Sequence, residues 1–81
     1  PLYLPSSVPL TIDGLVEGSL VKILSVDGSL VREFRTPGGR VGFWDGRNDK
    51  GDLVATAVYV VVAYSEDGTK IATGKVAVVR R

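Results

Sequence analysis

The chain is 81 residues with ten basic and nine acidic side chains, a net charge of +1 and 44% apolar residues: one small domain without the basic surface that nucleic acid binding needs. It has no Cys and no His, which removes disulfide staples, thiolate metal sites and the usual nucleophile–base pairs, so packing alone must supply a stability of roughly 4–12 kcal/mol. The longest apolar run, Leu53 to Tyr64, is broken by Thr56 and is too short to span a membrane, which predicts a soluble chain.

The absence of Cys is compatible with cytoplasm, periplasm or exterior alike. The chain opens on Pro1 without a basic and then apolar leader, so it is expected to be a piece of a longer protein. Three of the four prolines lie within Pro1 to Pro9. Residues 1–7 therefore read as a linker or lead-in lying along a sheet edge, with the folded domain spanning 8–81.

A first strand is predicted over Val8 to Asp13, with Val8, Leu10 and Ile12 on one face, ended by Asp13-Gly14. After a turn at Glu17-Gly18, Leu20 to Val26 is a second strand with Val21 and Ile23 on one face and Lys22 opposite. Asp27-Gly28 then predicts a two-residue type I′ hairpin in which Gly28 takes positive φ. In the next strand, Leu30 to Phe34, Val31 faces away from Leu30, Arg32 and Phe34. Thr36-Pro37-Gly38-Gly39 turns the chain.

Val41 to Trp44 follows, with Val41 and Phe43 on one face and Gly42 and Trp44 on the other. Trp44, the only Trp, is the expected anchor of the core, either by covering the sheet end or through a bulge at Asp45-Gly46. A polar loop between Gly46 and Asp52 leads to the central strand. Its run from Val58 to Tyr64 is apolar at odd and even positions, which predicts cover on both faces or nearly so. Glu66-Asp67-Gly68-Thr69 closes a second hairpin, and from Lys70 a last strand runs to the basic end with a predicted bulge at Gly74. No stretch has a helical period with caps. Six or seven short strands with regular turn signals make an all-β sandwich, since a single open sheet would leave its apolar face wet.

Chemistry is sparse. The serines sit in Pro-rich or turn contexts without a base, and Asp13, Asp27, Asp45 and Asp67 each precede Gly, as turn residues do. A calcium loop started at Asp45 would put Arg47 at its third position and Lys50 at its sixth, where oxygens and a glycine belong. The glycines do not form a phosphate loop. Tyr59 and Tyr64 fall on opposite sides of their strand, so with Tyr3 they are read as core or edge residues and not as a sugar platform. No catalytic residue, cofactor or metal is expected.

Three stretches in combination carry a resemblance: Val21-Lys22-Ile23 with Asp27-Gly28-Ser29-Leu30-Val31-Arg32; Trp44-Asp45-Gly46-Arg47-Asn48 with Gly51 beyond; and Val58-Tyr59 with the final Lys75-Val76-Ala77-Val78-Val79-Arg80. From Val8 to Arg80 the chain resembles the immunoglobulin-like domain of the flagellar hook-capping family and the related C-terminal sorting domains of bacterial proteins exported by the type IX secretion system. It departs from them at Ala57, where a Gly usually precedes the Val-Tyr pair, and at Leu4-Pro5-Ser6-Ser7, where many begin with Pro-Asn-Pro.

The resemblance implies an Ig-like β-sandwich of about seven antiparallel strands, with Trp44, Tyr59, Gly28 and Gly46 in structural roles and no enzymatic activity. It implies a C-terminal sorting module, handled in the periplasm and then placed outside the cell or on the outer-membrane surface. The partner would be the type IX secretion machinery. In the hook-capping relatives the role is assembly with neighbouring subunits, and a third reading is binding of surface polysaccharide or lipopolysaccharide. The export signal is expected in Lys75, Val76, Ala77, Val78, Val79, Arg80 and Arg81: Val76 and Val78 would face inward, Lys75, Ala77 and Val79 the other way, and Arg80-Arg81 would project past the last pairing.

Overall fold

The computed structural model describes residues 1–6, 9–12, 15, 18–36, 41–69 and 71–81. They form seven strands: β1 (Leu2–Leu4), β2 (Leu10–Ile12), β3 (Leu20–Leu24), β4 (Leu30–Arg35), β5 (Gly42–Trp44), β6 (Ala57–Tyr64) and β7 (Ile71–Arg80). There is no helix among the described residues. A five-stranded sheet in the order β1-β7-β6-β3-β4 packs against a two-stranded sheet, β2-β5, as an all-β sandwich. All pairings between strands are antiparallel except that of β1 with β7, which is parallel and correcting in that respect the antiparallel expectation. The predicted Val8, Asp13-Gly14, Glu17, Pro37-Gly38-Gly39 and Lys70 lie outside the described residues.

The core follows strand alternation. Val21 and Ile23 of β3 are fully buried, Lys22 between them is not, and the register sets them beside Ala63 and Val61 of the neighbouring β6. Burying such aliphatic side chains contributes about 1.5–3 kcal/mol each. From the small sheet comes Trp44, 1% exposed, with Leu10 and Ile12 packed at the margin. Simple alternation turns Trp44 inward together with Gly42, while Val41 and Phe43 face outward at 40% and 61% exposure. Neither a bulge nor a position at the sheet end is needed. Gly42 is required beneath, because a Cβ there would sit 2.9 Å from the Phe34 ring.

Four further expectations change. Leu2–Leu4 is not a lead-in outside the core: it is the edge strand beside β7, and Leu2 and Leu4 belong to the buried cluster, so the core starts well before Val8. The prolines around it leave a Leu-Tyr-Leu alternation intact, which is enough for one short edge strand. In β4 the register skips Val31 between Leu30 and Arg32, and this bulge lets Val31 as well as Phe34 pack on the core. In β7, by contrast, pairing with β6 runs unbroken through Gly74, which stands opposite Val61 with no bulge. Finally, β6 is covered on one face only. Tyr59 and Ala63 are buried, but Val58 is 44% exposed and Val60, Val62 and Tyr64 are half-buried, shielded by neighbouring side chains such as Lys22, whose ammonium lies 5.8 Å from the Tyr64 ring.

The hairpin tips share one chemistry. At Ser25 to Ser29 the Gly28 amide donates to the Ser25 carbonyl, the Ser25 amide donates to the Ser29 carbonyl, and only Gly28, at φ +89°, is left-handed. A type I′ turn would need positive φ at Asp27 too, so the loop is instead a three-residue one, a type I turn closed by a glycine bulge. At Ser65 to Thr69 the Gly68 amide likewise donates to the Ser65 carbonyl with Gly68 at φ +74°, and Asn48 to Asp52 repeats both bonds with Gly51 at φ +87°. The Asp27 carboxylate accepts from the Ser25 hydroxyl and the Ser29 amide, which lowers its pKa to about 2. That of Asp67 accepts from the Thr69 amide, the Ser65 hydroxyl and the Thr69 hydroxyl, with the same result.

Candidate functional site: the terminal strand and the tryptophan corner

Every residue of the predicted recognition segment is in or just after β7. Val78 is 1% exposed and Val76 is packed against the core, as the alternation requires; Lys75, Ala77 and Arg80 are exposed and Val79 is half-buried. The basic end does not project freely. Arg80 is still in register, opposite Leu4, and its amide donates to the Thr56 hydroxyl at 2.8 Å. Beyond it the Arg81 amide donates to the Leu4 carbonyl at 2.9 Å. The Arg81 guanidinium lies 4.8 Å from the centroid of the Tyr3 ring, a cation–π contact that settles its side chain on the outer face of β1. The physical reason is β1: its parallel pairing supplies backbone and ring partners past the point where β6 ends.

The same end of the sandwich holds the other structural residues. The Trp44 indole N–H donates to the Arg47 carbonyl at 3.0 Å, and the ring meets Tyr59 edge-to-face with centroids 5.7 Å apart. The Tyr59 hydroxyl donates to the Ala55 carbonyl at 2.7 Å, and burial pushes its pKa up. Gly46 has φ +78°, and a Cβ there would overlap both Cδ atoms of Leu4. Trp44, Gly46, Tyr59 and Val78 are thus joined through Leu4 and Leu2. Gly28, the fourth, is far along the chain at a hairpin tip with open space around it.

The polar loop is occupied with its own bonds. Asp45 accepts from the Arg47 amide, Asn48 from the Lys50 and Asp52 amides, and Asp49 from the Glu33 amide while pairing with Arg32 at 3.7 Å. Among the described residues no group of three or more carboxylates stands together. The tyrosines share no surface: Tyr59 is inside, and Tyr3 and Tyr64 lie toward opposite ends of β7, against Val79 and Ile71.

What sequence reading missed is Leu2, Leu4, Leu15 and Val54, all buried, and Thr56 as the partner of Arg80. The Leu-Tyr-Leu alternation was the available signal for the first two; nothing local marks Thr56.

No protein-family model matches the chain, and no curated protein matches it. Among solved structures it is similar to PorZ, described as an essential bacterial surface component of the type-IX secretion system of Porphyromonas gingivalis. The two are 31% identical with a TM-score of 0.81, over 99% of this chain and 11% of the PorZ chain. The whole of this sandwich therefore corresponds to a small part of a type IX secretion component.

Proposed function

We propose that this domain is a non-catalytic C-terminal sorting module of a larger bacterial secreted or surface protein, read by the type IX secretion machinery in the periplasm and carried to the cell exterior. The observation that carries the reading is the similarity of 99% of the chain to a segment of a type IX component. The form of β7 supports it: its inward valines hold the sandwich while Lys75 and Arg80 stand exposed at the surface. Recognition and folding are then separable, because exposed charges typically contribute within about 0.5 kcal/mol to stability.

The test fuses a fluorescent reporter upstream of this chain in a bacterium with a working type IX system. The parent fusion should reach the surface, and a Lys75→Ala, Arg80→Ala, Arg81→Ala variant, shown to fold by its melting curve, should stay in the periplasm. Export of the folded triple variant at the parental level would remove the basic end from the signal. Periplasmic retention of the parent would remove the sorting reading itself.

A second reading, an assembly module, is favoured by the outer face of the large sheet, where Val58, Leu30 and Ile71 are 44%, 49% and 62% exposed around the half-buried Val60, Val62, Leu20 and Leu24. A face of this kind suits packing on a neighbouring subunit.

A further inference from the structure

The outer face of the large sheet is apolar in the middle and charged at both ends. In register across β3 and β6, Leu20 stands beside Tyr64, Lys22 beside Val62 and Leu24 beside Val60, with Val58 next along β6. These residues point outward, since Val21, Ile23, Tyr59 and Ala63 between them are buried. The Lys22 ammonium leans over the Tyr64 ring, so its charge is carried toward one end of the face. At that end Arg35 stands opposite Leu20 on the β4 side, and on the β7 side the tip beyond Tyr64 and Ile71 carries Glu66 and Asp67. At the other end the signs are reversed. The β3–β4 tip carries Asp27, and on the β7 side Arg81 lies over Tyr3, which is in register with Val79. All five charged side chains at the two ends are exposed. Each side of the sheet thus bears opposite charges at its two ends.

We infer that a second copy of this chain docks on this face, the two large sheets stacked about a two-fold axis that crosses the strands between the rows of Val62 and Val60. What selects this occupant is the charge complementarity of the face with itself, which a two-fold contact requires. That axis turns the strands end for end. Val62 of each copy lies over Val60 of the other, Tyr64 over Val58, Arg35 over the tip that holds Asp27, and the tip of Glu66 and Asp67 over Arg81. Each contact occurs twice. No cation lies over a cation, because Lys22 falls over Leu24 and Lys75 over Thr73. A two-fold axis along the strands would instead bring the two Lys22 side chains together at the centre. Face-to-face stacking of sheets is the packing that sandwiches use within one chain. Most of these apolar residues are already half-buried in their own sheet, so the pairing is weak, with a Kd on the order of 10 µM. In dilute solution, where folding stability is read, the chain is a single copy. Such a dimer is one form of the assembly reading, on which this inference rests.

Sedimentation velocity of the 81-residue chain, at concentrations bracketing that Kd, should show a reversible monomer–dimer equilibrium. Val62→Glu sets a carboxylate against Val60 of the second copy and should abolish the dimer while the melting curve of dilute protein stays cooperative. Arg81→Glu and Glu66→Lys, both at exposed positions, each make two symmetry-related contacts repulsive and should each weaken self-association about tenfold or more. Mixed with one another, these two variants should form a heterodimer near the parental affinity, because each then meets its complement across the axis. A monomeric parent, an undiminished dimer of folded Val62→Glu, or a mixture that associates no more tightly than either variant alone would each overturn the inference. The assembly reading is tested separately, with the photo-reactive benzoylphenylalanine in place of Thr73 in the surface-displayed reporter fusion. Cross-linking to a different subunit, with the isolated chain monomeric, overturns the inference and leaves that reading standing. A monomer that cross-links to nothing overturns both.

Discussion

The two halves of β7 are close in composition and opposite in circumstance. Among the described residues Ile71 to Ala77 pairs with β6 alone, and its inward Ala72 and Gly74 are exposed; Val78 to Arg80 runs beside both β1 and, at Val78, β6, and the inward Val78 is 1% exposed. Both stretches are runs of small and β-branched residues in one uninterrupted ladder. What separates them is the arrival of Leu2–Leu4 from the opposite end of the chain, bringing Leu4 under Gly46 and within reach of the tryptophan corner. A strand residue is therefore buried or not according to whether another segment reaches it, and its own hydrophobicity does not settle the matter.

The largest test of that contrast sets Trp44→Ala and Leu4→Ala against Ile71→Ala. Truncating a buried Trp costs about 3–5 kcal/mol and a buried Leu about 2–5 kcal/mol, a large share of the ~4–12 kcal/mol expected for a chain this size. Ile71→Ala should stay within about 0.5 kcal/mol, as surface changes do. Urea unfolding of the three variants measures this, and an Ile71→Ala penalty equal to that of Leu4→Ala would show that the outer face of β7 is covered in solution.

Glycine substitutions sharpen the comparison at the closed end. Gly46→Ala combines a left-handed backbone with collision against Leu4 and should cost more than ~2 kcal/mol. Gly28→Ala, left-handed but in open space, should cost about 1–2 kcal/mol. The Leu4→Ala, Gly46→Ala double variant should cost less than the sum of its parts, because the shorter side chain makes room for the new methyl. Strict additivity in a double-mutant cycle would show that Leu4 and Gly46 do not press on one another.

The smallest effect belongs to two hairpin tips, that of Asp27 at the closed end and that of Asp67 at the open one. Asp27 and Asp67 have pKa values of about 2 against an ordinary 3.8, lowered by their hydrogen bonds. A depressed folded-state pKa stabilises the fold at pH values above the unfolded one, and that contribution is lost as pH falls through about 2. The melting temperature should thus decline on acidification from pH ~4 to ~2, and Asp27→Asn, Asp67→Asn together should flatten part of that decline. Both groups are solvent-exposed, so the change is expected to be slight; identical pH profiles for parent and double variant would show that these bonds do not persist in solution.

Much of the sandwich could be read from residues that act locally. The inward pair Val21 and Ile23, the Asp-Gly and Glu-Asp-Gly tips, and the division of Val76 and Val78 from Lys75 and Ala77 all follow from a two-residue period and from the freedom of glycine. The tip geometry was only half legible: Gly28 announces a positive φ, but whether one or two residues adopt it depends on how the strands on either side finish pairing. In the candidate site, alternation marked Val76 and Val78 as inward, while the seating of Arg81 on Tyr3 and of Arg80 on Thr56 needed segments that are remote in sequence.

By itself, then, the sequence determined the all-β class, the turns at Asp27-Gly28 and Asp67-Gly68 and the phase of β3, because these depend on side-chain period and backbone sterics over a few residues. The tertiary structure alone decided that Leu2–Leu4 completes the core, that plain alternation without a bulge seats Trp44 in it, and that the inward Ala72 and Gly74 of β7 stay exposed while Val78 is covered. Those outcomes turn on which of two alternating faces finds a partner, and a partner is supplied by chain segments whose meeting no local pattern encodes.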